Sequence, residues 1–528
     1  MKTDSQSQRQ PFSSTRSTRS TQLAIVPLAL AVALMASNRW FTAVDDESAI
    51  IDRAARPVSD TVRLFLTGAG MHEHPPLYDL FLHAWLRLIY LPRLTGADIY
   101  LLRLPSVVFY VAGAWVLSLV AKRFGGMPSQ FWTLAIVALS PFGFHFGRLA
   151  TWYSCAFLLV SLVTWTYVRF LDEPSVANWI WFVVAALALV YANYFGWVFL
   201  GLIGVDYLIH NISPSGGRDV AHTARWLFLT AAVLLLAYLP IFGAFLRELH
   251  TGTRPRFIPI GLLFNIGYNI YLVFVSESVA PWFWAFSIAS SVAIAACLLL
   301  LLQYRSPARR FLIYFLCVIA CLTALGIIMS KRTFFMTPWL VLPLGVALGT
   351  MPRRLPRRVL LGALALCAAV GWYGIFSRSL YAAPHWLEPW DEVARESANT
   401  IRGGGIVIGN NPSFFFYLSY LLPVTPVAPH AGAFAGLLPA SVHAANVYTP
   451  QQWLDADRPT RKTVVMVEGE HYGSSADATD ETEHWLDSHC ALQGIEKKTR
   501  DPGARFKQIY ARLTQLEWRV QVRNYSCP

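Results

Sequence analysis

The stretch LLRLPSVVFYVAGAWVLSLVA (residues 101–121) is long enough and apolar enough to cross a membrane as one helix. The hydrocarbon core of a bilayer is about 30 Å thick, which a helix of roughly 20 residues spans. Comparable runs recur on both sides of this stretch, as far as residue 380. Together they predict 11 transmembrane helices, at roughly 23–36, 101–121, 130–147, 151–170, 179–193, 195–210, 225–246, 281–302, 311–329, 334–350 and 358–377.

The composition of the 528 residues agrees with this pattern. Hydrophobic residues make up 55% of the chain and charged residues 14%, and the mean hydropathy is +0.43. A soluble protein carries about 25% charged residues, so the deficit excludes a disordered chain, a coiled coil and an ordinary soluble enzyme. The prediction is an all-α polytopic membrane protein with residues 23–380 as its transmembrane domain.

Both ends of the chain differ from this middle part. Residues 1–22 are polar, which predicts a disordered cytoplasmic arm, and the short run 23–36 could also be a cleaved signal peptide.

In residues 381–528, GGGIVIGNNP (403–412) and RKTVVMVEGE (461–470) predict strands, and ETEHWLDSHCALQ (481–493) has helical spacing. This alternation predicts a small α/β domain, which the parity of 11 spans places outside the cytoplasm. Cys490 and Cys527 could pair there if the compartment is oxidising.

The topology depends on PPLYDLFLHAWLRLIY (75–90), which is apolar but interrupted by Asp79, His83 and Arg87. If it spans the membrane, the basic loops 121–126, 303–310 and 351–358 all lie outside. If it lies along the outer surface, all three lie inside, as the positive-inside rule expects. The interfacial alternative is therefore preferred, and it makes residues 42–100 the first outer loop.

The net charge of +12 divides unevenly along the chain. Residues 1–380 carry +15, from 30 basic and 15 acidic residues, and residues 381–528 carry −3, from 13 basic and 16 acidic residues. The surplus thus belongs to the membrane part, where basic loops face the cytoplasm and anionic membrane lipids. Nucleic acid is not indicated as a partner.

The acidic residues of the membrane part gather in the first outer loop. Eight of its 15 lie between Asp45 and Asp98, and Asp45, Asp46 and Glu47 are consecutive. Ionisable groups against a membrane span are costly and indicate a functional site. Crowding and partial desolvation should raise the pKa of at least one of the three, which suits a general base. The alternative is a solvated loop whose acids cap a helix.

A second polar cluster, His72, Glu73 and His74, precedes the rigid pair Pro75-Pro76. Two histidines with a carboxylate could bind a divalent metal ion. Hydrogen bonding to a substrate and plain surface polarity are the other two interpretations, and they stay open.

Three cations at the outer ends of spans have no acidic neighbours in sequence: Arg148, Lys331 and Arg332. The orientation of the spans does not explain these cations, because the positive-inside rule favours basic residues on the cytoplasmic side. A site for an anionic ligand would explain them, and snorkelling to outer headgroups is the alternative.

Several of these motifs occur together and in a fixed order. The outer-loop acids are followed by HPPLYDLFLHAWL (74–86), LRLPSVVFYVAG and LSPFGFHFGRLATWY (139–153), and later by SKRTFFMTPWLVLPLGVALG (330–349). This combination resembles the polyprenyl-phosphate-dependent glycosyltransferases of the C type. That superfamily includes the protein mannosyltransferases, the lipid A aminoarabinose transferase and the rhizobial galacturonosyltransferases. The resemblance covers about residues 40–350.

The resemblance implies a membrane enzyme of the bacterial inner (plasma) membrane that moves a sugar from a polyprenyl-phosphate donor to a glycan, lipid or protein acceptor on the outer face. Asp46 matches the catalytic aspartate, with Glu47 beside it and Asp45 as a rival. Glu73 and His74 match an acid and a base near the donor phosphate, although the aminoarabinose transferase has lysine where this chain has His74. The remaining implied substrate-binding residues are Arg148, Tyr153, Lys331 and Arg332.

Two other classes of protein fit the sequence less well than this enzyme. A transporter or flippase of a lipid-linked saccharide would typically show internal repeats and charges at the membrane midplane. No repeat is visible, and the clearest charges lie near the outer face. A structural scaffold would leave the two polar clusters of the first outer loop unexplained.

Overall fold

A computed structural model describes residues 16–37, 47, 50, 51, 53, 54, 56–67, 74–89, 98–212, 220–252, 261–280, 283–325, 330–377, 389–411, 414, 415, 417, 418, 446–455, 462–469, 475–498 and 520–528. Up to residue 377 these residues are almost entirely helical. The helices are α1 (Arg16–Ser37), α2 (Val58–Thr67), α3 (Leu77–Ile89), α4 (Asp98–Leu139), α5 (Pro141–Gly147), α6 (Trp152–Asp172), α7 (Val176–Ala192), α8 (Gly196–Ile212), α9 (Val220–Tyr238), α10 (Phe242–Gly252), α11 (Leu262–Val275), α12 (Trp284–Gln303), α13 (Arg309–Ala324), α14 (Thr337–Thr350) and α15 (Arg354–Ser377).

Six helical stretches of the described residues are long and apolar enough to cross a membrane. They are Tyr100–Leu139, Trp152–Asp172, Thr223–Arg247, Trp284–Gln303, Arg332–Thr350 and Arg354–Ser377, and Ile25–Ser37 and Val176–Ala192 are shorter apolar helices. The protein is therefore a helical polytopic membrane protein. The number of 11 spans stays a prediction.

Helix α4 contains two of the predicted spans. A straight helix of its 42 residues would measure roughly 60 Å, twice the hydrocarbon thickness. Gly125 and Gly126 break it, and Gly126 has φ 72°, a conformation that glycine adopts without steric cost. The predicted span 130–147 is wrong at its end, because α4 stops at Leu139. Ser140 then caps a new helix, accepting a hydrogen bond from the Gly143 amide at 3.0 Å.

The interfacial segment forms α3, which has 13 residues. At 1.5 Å per residue it is about 20 Å long, too short to cross the hydrocarbon core. The length of α3 favours a helix along the outer surface over a transmembrane helix. Its position at that surface stays a prediction.

The centre of the helical part is the contact of α4 with α14 and α6. Small residues let α4 and α14 approach closely: a Cβ on Gly349 would lie 2.2 Å from Ser129 Oγ, and one on Gly345 2.0 Å from Thr133 Oγ1. Small residues serve this purpose at helix contacts inside membranes.

A buried carboxylate connects α8 to α6 and α13 through polar contacts. Asp206 of α8 accepts hydrogen bonds of 2.6 Å from the hydroxyls of Tyr167 (α6) and Tyr314 (α13), and Arg310 NH1 lies 3.1 Å from it. Such partners are what make a buried charge tolerable.

After residue 388 the chain forms a small mixed sheet with helices. Its elements are α16 (Trp390–Arg402), β1 (Ile406–Gly409), β2 (Val447–Tyr448), α17 (Pro450–Asp455), β3 (Thr463–Glu468), α18 (Ser475–His489), β4 (Ala491–Lys498) and β5 (Val520–Ser526). The strand order is β2-β1-β3-β5-β4; β1 is parallel to β2 and β3, and β5 is antiparallel to β3 and β4. The strands predicted in 403–412 and 461–470 are β1 and β3. The predicted helix 481–493 is wrong at its end, where β4 begins.

Each face of the sheet packs against helices. Val407, Val465 and Val467 face α16, whereas Ile408 and Met466 face α17 and α18. This alternation follows from the period of two along a strand. A disulfide joins Cys490 to Cys527, so the pair suggested by the sequence forms.

Candidate active site

The corner between α5 and α6 is polar and fully inside the protein. Helix α5 ends at Gly147 with Arg148 as its C-cap, and Thr151 has an extended backbone (φ −135°, ψ 169°) just before α6 begins. Arg148 and Thr151 have no exposed surface, and the Arg148 guanidinium carbon lies 5.7 Å from the centroid of the Phe144 ring. Thr151 does not cap α6, and within the described part of the chain its hydroxyl has no hydrogen-bond partner. The corner thus combines a cation with a helix N-terminus, a combination that favours anions.

The first outer loop reaches this corner through Glu47. Its carboxylate accepts two hydrogen bonds from Arg103 of α4, at 2.7 Å from Nε and 2.5 Å from NH2. It also accepts the amide N–H of Ala150, in the corner itself, at 2.8 Å. Glu47 is 1% exposed and Arg103 is fully buried, so this is a bidentate ion pair removed from solvent. It fixes residue 47 between α4 and the corner.

Further contacts hold the rest of this loop. The Arg53 Nε donates to Asp79 of α3 at 2.8 Å, and His83 Nδ1 lies 2.8 Å from the carbonyl oxygen of Ala54. Helix α3 is in turn joined to α4 by the hydroxyls of Tyr78 and Ser106, which are 2.8 Å apart. The loop after Glu47 is therefore anchored on α3, which is anchored on α4.

His74 lies against the start of α6. Its ring centroid is 4.2 Å from that of Trp152, with the two planes at 43°. Trp152 also contacts Tyr153 edge-on, with centroids 4.6 Å apart. The structure thus brings together His74, from the cluster before the double proline, and Tyr153, from the α6 stretch.

The late basic segment packs on the other side of the same corner. Residues Ser330–Met336 form a 3-10 helix that contacts α5, α6 and α11. Its Phe334 ring packs with Phe142 and Phe146 of α5, with centroids 5.6 and 6.1 Å apart. Lys331 and Arg332 begin this segment, and Arg332 is half-buried. The segments carrying Arg148, Tyr153 and Arg332 are therefore neighbours in space, although up to 184 residues separate them in sequence.

Three of the predicted site residues lie outside the described residues: Asp45, Asp46 and Glu73. His72, the first member of the possible metal cluster, lies outside them as well. Among the residues that the structure does describe, no group of three or more His, Cys, Asp or Glu side chains is placed to hold a metal ion. A divalent metal ion therefore stays an open alternative for the 72–74 cluster.

Sequence reasoning missed several residues of this region. Arg103 stands near the start of the apolar stretch 101–121, and an ionisable residue in such a position indicates a buried partner. His145 Nδ1 lies 2.5 Å from the hydroxyl of Ser276, a buried residue with φ 64°, and the adjacent Glu277 is 5% exposed. No local motif indicates that these two segments meet.

Glu468, at the end of β3, is a buried ionisable group outside the membrane part. Burial raises the pKa of its carboxyl to about 7 from the ordinary value of 4.5, Arg523 of β5 opposes the rise, and Glu483, Asp480 and Asp487 of α18 add to it. Since the folded carboxyl binds its proton more tightly than the unfolded one, the stabilising effect is complete below pH 4.5 and is lost as the pH rises through about 7.

We therefore expect the free energy of unfolding of this sheet to fall between pH 5 and 8, by up to about 3 kcal/mol. Glu468→Gln should remove the dependence, while Glu481→Gln, at an exposed position of α18, should keep it. Hydrogen exchange of β3 and β5 amides in the full-length protein, corrected for intrinsic rates, measures the change. An unchanged slope in Glu468→Gln would contradict the assignment.

Comparison with known proteins finds similarity in three-dimensional structure. The chain is similar to ArnT from Cupriavidus metallidurans bound to undecaprenyl phosphate, at 15% identity over 95% of this chain and 98% of that one, with a TM-score of 0.41. It is also similar to the arabinofuranosyltransferase AftD from Mycobacteria, at 15% identity over 96% of this chain, with a TM-score of 0.44. The chain spans 40% of the length of AftD.

A third similar structure is the Archaeoglobus fulgidus oligosaccharyltransferase in complex with Zn and sulfate, at 11% identity over 85% of this chain and 67% of that one, with a TM-score of 0.45. No family model and no curated protein sequence matches the chain. These likenesses concern overall architecture.

Proposed function

We propose that this protein is a membrane glycosyltransferase that moves a sugar from a polyprenyl-phosphate donor to an acceptor hydroxyl at the outer face of the membrane. The observation that carries the proposal is that the Glu47 carboxylate accepts hydrogen bonds from both Arg103 and the Ala150 amide. It holds the acid-rich loop against the buried corner that contains Arg148. A carboxylate and a cation in one place are the two groups that such a transfer needs.

Asp46 is the proposed general base. Both oxygens of Glu47 accept hydrogen bonds from Arg103, so Glu47 is better suited to hold the loop than to take a proton. Asp46 is its covalent neighbour on the amino-terminal side. Asp45 is the alternative base.

The reaction can be written with all atoms balanced. The acceptor hydroxyl oxygen attacks the anomeric carbon, its proton passes to Asp46, and the bond from the anomeric carbon to the phosphate oxygen breaks. The leaving group is polyprenyl phosphate, whose added negative charge needs cations and N–H donors. Arg148 and the first turn of α6 supply both, and Tyr153, Arg332, Lys331, His74 and Glu73 complete the proposed donor site.

The proposed orientation places the N-terminus in the cytoplasm and residues 381–528 outside it, in the inner (plasma) membrane of a bacterium. The disulfide between Cys490 and Cys527 supports the outer location, because disulfides persist in oxidising compartments. The acceptor belongs to one of three classes, glycan, lipid or protein, and experiment must distinguish them.

A flippase for a lipid-linked saccharide is the competing function. The test supplies membranes containing the full-length protein with polyprenyl-phosphate sugar that is radiolabelled in the sugar, together with an envelope extract. We expect label in a new glycosidic bond and release of unlabelled polyprenyl phosphate. Movement of intact donor across the membrane, with no new bond, would overturn the proposed enzyme in favour of the flippase.

A further inference from the structure

Three basic loops meet at one end of the helical part: residues 121–126, 303–310 and 351–358. Together they contain nine basic and no acidic residues. The hydroxyl of Thr350, just before the third loop, lies 2.9 Å from the hydroxyl of Tyr304 in the second. A Cβ on Gly125, in the first loop, would lie 2.6 Å from Thr350 Cγ2. The surface that these three loops form is the basic end of the protein.

The packing of α12 against α15 brings the second and third loops together as well. The rings of Phe286 and Tyr373 stack with centroids 5.7 Å apart, and Cys367 Sγ lies 3.9 Å from the carbonyl oxygen of Ser290. The contacts advance along α12 while they recede along α15, so the two helices are antiparallel. Helix α15 therefore begins where α12 ends, beside the loop 303–310.

The basic end is remote from the candidate active site. Helix α6 begins in the polar corner at Trp152 and ends at Asp172, which pairs with Arg123 of the first basic loop at 2.6 Å. The 21 residues of α6 measure about 30 Å. The corner and the basic end thus lie at opposite ends of this helix, and the proposed transfer makes no use of the basic end.

Most cations of the basic end have no acidic partner. Arg123 pairs with Asp172, and Arg310 lies 3.1 Å from Asp206. In the part of the chain that the structure describes, no acidic side chain pairs with the other seven, which are exposed or half-buried. Like charges on one surface repel one another, so an anion that binds among them would stabilise this end of the protein.

Two helices begin at the basic end with arginine. Helix α13 starts at Arg309, after Ala308, which provides no capping side chain, and α15 starts at Arg354. Neither helix has an acidic residue in its first turn. The N-terminus of a helix carries about half a positive charge and favours anions. Arginine at both starts therefore concentrates positive charge where a phosphate group is favoured.

Apolar side chains lie among these cations and indicate which anion fits. Leu355 and Val359 of α15 are 72% and 43% exposed, and Leu302 near the end of α12 is 37% exposed. Both helices are long and apolar enough to cross a membrane. A soluble anion makes no use of such apolar side chains, whereas a phospholipid carries its phosphate next to its acyl chains. Clusters of Lys and Arg directly beside membrane helices recognise anionic lipids.

We propose that the basic end binds the phosphate headgroups of anionic phospholipids, with the starts of α13 and α15 as its two binding positions. Arg309 and Arg354 donate hydrogen bonds to the phosphate oxygens, and the first backbone N–H groups of each helix, which have no partner within the helix, add to them. Leu302 and Leu355 contact the acyl chains. The predicted topology makes this the cytoplasmic leaflet, and the inference goes beyond the proposed transfer without depending on it.

The test uses the full-length protein in nanodiscs of phosphatidylcholine, with no sugar donor. Electron paramagnetic resonance of trace spin-labelled phosphatidylglycerol and phosphatidylcholine gives the ratio of their association constants at the protein surface. Phosphatidylglycerol should be preferred about fivefold, the effect of one cation near its headgroup. The preference should fall toward 1 in 1 M salt, where the screening length is about 3 Å. Equal association of the two lipids at low salt would overturn the proposal.

Arg309→Gln combined with Arg354→Gln removes the cation at both helix starts, and most of the preference for phosphatidylglycerol should disappear. The matched control is Arg123→Gln combined with Arg395→Gln, which removes the same number of charges. Arg123 lies at the basic end but is paired with Asp172, and Arg395 is exposed in α16, so the control should keep the preference. A wild-type preference in the first variant, or an equal loss in both, would refute the two helix starts as the binding positions.

Inorganic phosphate distinguishes a lipid from a soluble ligand. Added in excess, with sodium chloride at the same ionic strength as the reference, it should leave the preference for phosphatidylglycerol unchanged, because free phosphate makes no contact with the apolar side chains. Loss of the preference in phosphate, but not in sodium chloride, would assign the site to a soluble phosphate compound and overturn the lipid proposal.

Discussion

Asp46→Asn is expected to lower kcat for sugar transfer by a factor of about 10² to 10⁴, the range that a positioned general base contributes. Asparagine has nearly the size of aspartate but cannot take the proton of the acceptor hydroxyl. The donor does not need that carboxylate in order to bind, so KM for the polyprenyl-phosphate sugar should change little. Initial rates at several donor concentrations, in membranes with equal amounts of protein, measure both constants.

Asp45→Asn is the matched control, since it makes the same chemical change one residue earlier. It should retain most of the activity if Asp46 is the base. The opposite result, an inactive Asp45→Asn beside an active Asp46→Asn, would move the role to Asp45. Full activity in both variants, and in the double variant, would contradict a base in this part of the loop.

The pH profile provides an independent check on the same assignment. A carboxylate that acts as base must be ionised, so activity should rise with pH through its pKa in the free enzyme. The rising limb should disappear in Asp46→Asn, where the residual rate no longer depends on that group. A profile that keeps its rising limb in the variant would assign it to another residue.

The helices could be predicted from the sequence because their signal is local. An apolar run such as 101–121 identifies a membrane helix without knowledge of its neighbours. The break after Leu139 has a local signal as well, since Ser140 before Pro141 is a typical helix start. The apolar residues that continue on both sides of it make the two helices resemble one continuous span.

The candidate site could be predicted only in part, since its contacts join distant segments. Glu47 is 56 residues from Arg103 and 103 from Ala150, and His145 is 131 residues from Ser276. No spacing rule connects such pairs, because they are set by how the helices pack. The sequence therefore indicated which residue types would be needed, while the structure shows that Glu47 is bound to Arg103.

The buried pair of Glu47 and Arg103 leads to the second large effect. Arg103→Ala should destabilise the attachment of the first outer loop by about 3–5 kcal/mol, because it leaves a buried carboxylate without its cation. The segment that starts at Glu47 would then leave the corner, and Asp46 with it. Trypsin should cut sooner after Arg53, which is half-buried in the intact protein, and kcat should fall to near that of Asp46→Asn.

Arg63→Ala is the matched control in the same loop. Arg63 also pairs with an acid, Asp60 at 3.3 Å, but its side chain is 72% exposed. An exposed pair contributes about 0–1 kcal/mol, so this variant should retain both its resistance to trypsin at Arg53 and its activity.

A double-mutant cycle separates positioning from plain stability. Glu47→Gln and Arg103→Met each break the pair, and the double variant should lose little more kcat than either single variant if the two side chains act together. Hydrogen exchange of the β3 and β5 amides serves as a measure of intact folding elsewhere and should stay unchanged in all three. Additive losses of kcat, or normal activity in Arg103→Met with the loop still protected, would show that this ion pair does not position the base.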